Sequence, residues 1–171
     1  MVMIKKIFLL SLLLFSQLLV AKGIEQSEES FLNEAFADKP PQSRVIWLDR
    51  EKKQVIEDIL QHRASFIRIR YWRQNSRTAW ILDEIGKEKP ITVGLIIDKS
   101  QIQRLKVLAF RESRGWEVKH DFFTRQFNAA SITEELQLNK TIDGISGATL
   151  SVRALKKIAI IALYLEQFTA P

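Results

Sequence analysis

The chain reads as an α+β domain, an antiparallel sheet packed against helices. Two observations predict this. The middle of the chain holds four segments of alternating apolar and polar residues joined by short turns, the mark of an antiparallel meander. The end of the chain carries one long stretch, Leu150 to Phe168, whose apolar residues recur at helical spacing.

Taken in order, residues 1–23 read as an export signal or an N-terminal anchor. Lys5 and Lys6 form a charged start, Ile7 to Val20 an apolar run, and Ala21 or Gly23 a small residue for cleavage. The apolar run is shorter than the roughly 20 residues a spanning helix needs. Residues 24–48 are polar and acidic, with Glu25, Glu28, Glu29, Glu34 and the pair Pro40-Pro41. They read as a leader or linker with helical fragments around Ser30 to Ala37. Residues 49–171 form the main domain. It opens with a helix over Asp49 to Arg63, where Val55, Ile56, Ile59 and Leu60 share a face and Asp49 can cap the first turn.

The strands follow. Ser65 to Arg73 reads as a strand, with Phe66, Ile67, Ile69 and Tyr71 set against Arg68, Arg70 and Arg73; Gln74-Asn75-Ser76 turns the chain, and Arg77 to Ile85 returns. Gly86 to Pro90 breaks the pattern. Ile91 to Asp98 and Gln101 to Phe110 make a second hairpin across Lys99-Ser100. A short helix is expected over Asp121 to Phe127, and a turn or short helix over Ser131 to Leu138. In the last helix Leu155, Ile158, Ala159, Ala162, Leu163 and Leu165 make the face that packs on the sheet.

Composition narrows the chemistry. There are 26 basic and 20 acidic residues; without Lys5, Lys6 and Lys22 of the N-terminal segment the balance falls to +3. That is an ordinary solvated surface with no nucleic-acid recognition motif, so no nucleic-acid partner is expected. The chain has no cysteine, which removes disulfides, thiolate iron–sulfur ligation and covalent haem attachment through C-x-x-C-H. His62 and His120 are its two histidines, with no partner at metal-ligand spacing. Any redox role rests on a bound organic cofactor.

One segment points to a cofactor. Asp143-Gly144-Ile145-Ser146-Gly147-Ala148-Thr149 leads directly into the last helix. A small, flexible turn here delivers a threonine hydroxyl to a helix N-terminus, where unpaired N–H groups and the positive end of the helix dipole favour an anion. The same residues also suit simple helix entry. Ser146 and Ser151 can donate to a phosphate or cap the helix, and Arg153, four residues after Thr149, shares its face.

The segment resembles the attachment signature of the FMN-binding domain family, Asp-x-x-Ser/Thr-Gly-Ala-Thr, whose last threonine carries FMN through a phosphoester. The order of elements from about Thr78 to Phe168 is similar too: a strand pair, then Glu112-Ser113-Arg114-Gly115, then Phe122-Phe123-x-x-Gln126-Phe127, then the Asp143 to Thr149 turn. The resemblance implies covalent FMN on Thr149, with Ala148, Gly147, Ser146, Asp143, Ser151, Glu112 and Gly115 about the cofactor. Trp116, Phe122, Phe123 and Phe127 are candidates to bed the flavin ring. It also implies a flavin transferase that uses FAD as donor and a divalent metal, with Asp143 contributing to recognition. Family members in sodium-pumping membrane complexes carry Glu-Thr-Pro-Gly where this chain has Glu112-Ser113-Arg114-Gly115. The departure points to a small stand-alone flavoprotein, periplasmic or otherwise extracytoplasmic and able to associate with a membrane through its N-terminus. The expected function is electron relay between a membrane or soluble donor and an extracytoplasmic acceptor. A non-redox exported binding module and a small flavin-dependent reductase are the alternatives; no acid–base pair for turnover is visible.

Overall fold

A computed structural model describes residues 25–169. The segment expected to direct export, 1–23, lies outside them. Five antiparallel strands follow the chain in order: β1 (Ser43–Trp47), β2 (Arg68–Gln74), β3 (Arg77–Ile85), β4 (Pro90–Asp98) and β5 (Gln101–Phe110). Around them stand α1 (Glu28–Ala35), α2 (Arg50–Leu60), a 3₁₀ turn over Trp116–Lys119, the short α3 (Asp121–Thr124) with a 3₁₀ turn over Arg125–Phe127, and α4 (Thr149–Glu166). This is the expected α+β arrangement, with the long helix following the Ser146-Gly147 turn. Among the described residues no helix is long and apolar enough to cross a membrane.

The hairpins follow from their turns. Lys99 and Ser100 both take positive φ, 52° and 60°, the geometry whose twist matches that of the flanking strands. Two register shifts in the β4–β5 pair leave Leu108 and Gln103 as bulges. The carbonyl of Leu108 accepts the amides of Glu25 (2.8 Å) and Gln26 (3.1 Å). At the other end of β5, Ile102 exchanges backbone hydrogen bonds with Ala129 and Ala130. The outer edge of β5 is thus covered at two places by its own chain.

Strand alternation sends Ile69, Tyr71, Trp80, Val93 and Leu95 to one face, against α2 and α4. Leu155, Ile158, Ala159, Ala162 and Leu165 of α4 are at most 1% exposed there. Each large one contributes about 1.5–3 kcal/mol by leaving water. The opposite face is covered by α1, and here the structure differs from the expectation. Residues 24–48 read as a leader or linker with helical fragments around Ser30 to Ala37; the helix is present, but it packs on the sheet and is followed by an edge strand. Phe31, Leu32, Ala35 and Phe36 form a second core with Trp72, Ala79, Ile96 and Leu108. The Phe31 ring lies on Gly94, where a Cβ would stand 2.7 Å from it. Three glutamates, Glu28, Glu29 and Glu34, mask this stripe in the sequence, because the helix turns them to solvent.

Candidate functional site

The Asp143–Thr149 segment is held from below. The amide of Asp143 donates to the Gln126 side chain at 2.8 Å, and Ile142 is buried. Gln126 follows α3, whose neighbours Phe123 and Phe127 are fully buried and meet edge-to-face at 5.9 Å between centroids. This explains the Phe-x-x-x-Phe spacing and corrects one expectation. Phe123 and Phe127 are core residues and cannot bed a ligand, whereas Trp116 and Phe122 are exposed, with His120 against both rings.

The turn closes when the amide of Ala148 donates to the carbonyl of Ile145 at 3.0 Å. Gly147 takes φ +83° at its third position, which L side chains rarely adopt. Ala148 is then buried, while Ser146, Gly147, Thr149 and Leu150 are exposed. Helix α4 starts at Thr149 with no side-chain cap and no acidic residue in its first turn. Its first backbone bond within the helix runs from Val152 N–H to the Ala148 carbonyl (2.9 Å). The N-terminus therefore keeps its positive end unneutralised, beside an exposed hydroxyl.

Gly115 packs against this start. A Cβ on it would lie 2.9 Å from Ser151 Oγ and 3.2 Å from Ala148 Cβ, and its φ is +79°. Gly115, Ala148, Thr149 and Ser151 are thus brought together. Glu112 is not turned toward them. One of its carboxylate oxygens accepts the amides of Lys87, Glu88 (2.7 Å) and Lys89 (3.0 Å), and Gly86 leaves room for it. Partial burial pushes the Glu112 carboxyl up, but the three N–H donors outweigh it and hold the group below its ordinary range. Its role here is to fix the 86–89 turn. Asp143 is exposed on the approach to the turn.

On the other side of Thr149 a cleft of about 340 Å³ runs along α4. Ile59, Leu136 and Val152 supply apolar surface; Arg153 and Lys156 supply charge. Among the described residues neither cation has a carboxylate partner within ion-pair distance. Leu136 and Lys156 were not legible from sequence, since only the fold brings the 131–141 loop against α4. That loop is a bridge of Ile132 with Leu138, not a helix. Among the described residues no three His, Asp or Glu side chains gather where they could hold a metal ion.

The match that decides the family covers this ground. Residues 86–164 match the family model of the FMN-binding domain. The segment is an FMN-binding domain. No curated protein and no solved structure matches the chain. The FMN-binding domain begins at the turn that Glu112 holds and ends within α4, so it includes β4, β5, Gly115 and the whole Asp143–Thr149 segment. Strands β1 to β3 and helices α1 and α2 lie before it, and β3 and α1 close the sheet on which it rests. FMN binding follows from the domain, and the chemistry of the residues fits that ligand. An exposed hydroxyl, an uncapped helix start, unpaired cations and an apolar cleft suit a phosphate joined to a flat aromatic body.

Proposed function

We propose that the protein is an exported flavoprotein that carries FMN on Thr149 through a phosphoester and relays electrons outside the cytoplasm. The observation that carries this reading is Thr149 itself, exposed at the uncapped start of α4 and fixed by the buried Ala148 and Ser151 on either side.

The family resemblance implies attachment by a separate flavin transferase that uses FAD and a divalent metal and that would activate the Thr149 hydroxyl. The Thr149 oxygen bonds to the FMN phosphorus of FAD, the phosphoanhydride bond breaks, and AMP leaves with the electron pair. The small residues Gly147 and Ala148 and the exposed Ser146 keep the turn narrow enough to enter that enzyme, with Asp143 at its approach. The amides of the first turn of α4 would hold the phosphate, with Arg153 one turn further on to supply charge. Val152 and Leu136 would offer the flavin ring an apolar bed in the cleft beside Thr149. Bound FMN accepts two electrons and releases them singly, which lets one protein link carriers of different electron number. Covalent attachment prevents loss of the cofactor outside the cell membrane. Donor and acceptor proteins, and membrane association through the N-terminus, belong to the same proposal.

Intact mass tests it. Coexpressed with a flavin transferase, the chain gains the mass of FMN less one water, and Thr149→Val abolishes the gain. The flavin is reversibly reduced by dithionite and reoxidised. A wild-type product of unchanged mass ends the covalent reading. An attached flavin that cannot be cycled ends the redox one.

A further inference from the structure

Three aromatic rings stand exposed beyond the β5 edge of the sheet. Trp116 is 51% and Phe122 61% exposed. His120 lies between them, edge-on to Trp116 at 5.1 Å and stacked on Phe122 at 6.2 Å. The rings prop one another and present an apolar surface, while their neighbours Val118, Phe123 and Phe127 are fully buried. Gly115, the residue before Trp116, packs on Ala148 and Ser151, so the patch adjoins the Thr149 turn. The cleft of Leu136 and Val152 does not include it.

The start of the described chain reaches the same place. Lys119 Nζ donates to Glu25 Oε1 at 2.7 Å, and the Glu25 amide is bonded to Leu108 of β5. In a 3₁₀ turn residues three apart eclipse, so Trp116 shares the Lys119 side of the Trp116–Lys119 turn. In the sequence only Ala21, Lys22, Gly23 and Ile24 separate Glu25 from the apolar run Ile7 to Val20. Five residue steps reach at most about 18 Å. A membrane that holds the run therefore lies within that reach of the Glu25–Lys119 pair, beside the rings. The run is shorter than the roughly 20 residues of a spanning helix, so a second contact adds to its hold. Around the rings Arg114, Lys119 and Arg125 are balanced by Glu25, Glu117 and Asp121, which leaves no net charge to select an acidic or a basic protein. Uncharged aromatic surface of this kind suits the headgroup level of a bilayer.

We propose that Trp116, His120 and Phe122 dock the domain on a lipid bilayer, with the Trp116 and Phe122 rings at the headgroup level. The proposal rests on the reading that the N-terminus associates with a membrane. It gives the folded domain one fixed face toward that membrane, with the Thr149 turn beside it.

Quenching of tryptophan emission by lipid tests this. The full chain is mixed with phosphatidylcholine vesicles brominated near the head of the acyl chain, and flotation reports binding. Trp116→Phe and Trp47→Phe assign the emission of the two exposed tryptophans. Trp47 lies on β1, at the opposite edge of the sheet, about 19 Å away at four strand spacings. The emission that Trp116→Phe removes is expected to fall about twofold with the brominated lipid and to shift to the blue, and that of Trp47 to stay unchanged. Phe122→Glu floats with the vesicles but loses the Trp116 quenching. Thr149→Val keeps it, so the result stands whatever becomes of the flavin reading. A chain that floats with Trp116 unquenched overturns the docking face and leaves the N-terminal association standing; a chain that does not float overturns both. Equal quenching of Trp116 and Trp47 overturns the proposal, because the domain then has no fixed face. Trp116 emission already blue-shifted without lipid and indifferent to vesicles overturns it too, by showing the patch covered by the apolar run or by a second copy.

Discussion

Gly115→Ala is the sharpest probe of how the Asp143–Thr149 turn is held. Two costs arise from one methyl group. At φ +79° an L side chain sits in the left-handed region, which costs about 1–2 kcal/mol. The new Cβ also stands 2.9 Å from Ser151 Oγ, 3.2 Å from Ala148 Cβ and 3.3 Å from Ala148 Cα. The hydroxyl can swing away, but the Ala148 backbone cannot move without shifting the start of α4. Such overpacking costs about 1–3 kcal/mol, so the whole loss is about 2–5 kcal/mol. Gly147→Ala is the control. Its φ is +83°, but nothing lies within 4 Å of its Cβ, so only the conformational cost of about 1–2 kcal/mol applies. Urea unfolding reads both through the midpoint at unchanged m. Ser151→Ala added to Gly115→Ala removes the nearest clash and restores about 0.5–1 kcal/mol, a coupling between neighbours that a double-mutant cycle isolates. If Gly115→Ala and Gly147→Ala cost the same within about 0.5 kcal/mol, the packing of the 112–115 loop on α4 is not what fixes the turn.

Three further substitutions probe the frame. Phe31→Ala costs about 3–5 kcal/mol by urea unfolding, because its buried ring is the contact between α1 and Gly94; a loss under about 1 kcal/mol would return residues 24–48 to the status of a spacer. Glu112→Gln costs about 1 kcal/mol at neutral pH, kept small by the half-buried, solvent-screened position of the carboxylate. Because the Glu112 pKa is lowered in the folded state, its contribution is present above the unfolded value and lost as pH falls through the folded one, so the two proteins converge in acid. Glu166 has the opposite sign. Burial raises its pKa above the ordinary 4.5, only partly offset by the Thr78 hydroxyl that donates to it and by Arg73. Its contribution is complete below the unfolded value and lost as pH rises through the folded one. Thermal melts from about pH 4 to about pH 8 therefore show a decline in the wild type that Glu166→Gln flattens.

The sequence carried the hairpins and the last helix because each has a local signal. Alternation in Arg77–Ile85 and Gln101–Phe110, with a two-residue turn between partners, is enough to place a strand. The Asp143–Thr149 turn was equally plain as small residues leading into a helical run, a pattern that also suits simple helix entry. The packing of residues 24–48 on the sheet was not legible for a definite reason. Strand β1 has five residues and buries only Ile46, so its pattern is polar with two exposed hydrophobics. Helix α1 hides Phe31, Leu32 and Ala35 among acidic residues that face solvent. One sign was available. Gly94 interrupts an otherwise apolar strand, and a glycine there marks the close approach of something across the sheet. The cleft beside Thr149 could not be read at all, because Ile59, Leu136 and Lys156 meet only through the packing of α2, the 131–141 loop and α4. Glu112 was legible as a residue with a role, but its role of holding the 86–89 turn needed coordinates.

Under the proposed function the Asp143–Thr149 turn has to reconcile two opposing demands. A hydroxyl that a second protein must modify has to be exposed, and exposed turns are commonly mobile. A relay needs its cofactor at a fixed place. The chain meets both demands by alternating burial along five residues: Gly147 exposed, Ala148 buried, Thr149 and Leu150 exposed, Ser151 buried. The buried members are gripped by Gly115, which has no side chain to keep them away, and the segment before them is tied to Gln126. The helix that begins there is sealed against the sheet over its whole length, down to Glu166 beside Thr78. Fixity thus comes from the residues on either side of the hydroxyl, and access from the hydroxyl itself. A substitution that loosens the grip at Gly115 should therefore scatter the flavin's reduction potential and slow its loading together, whereas Thr149→Val should abolish loading and leave the fold's stability within about 0.5 kcal/mol of wild type, as expected for an exposed position.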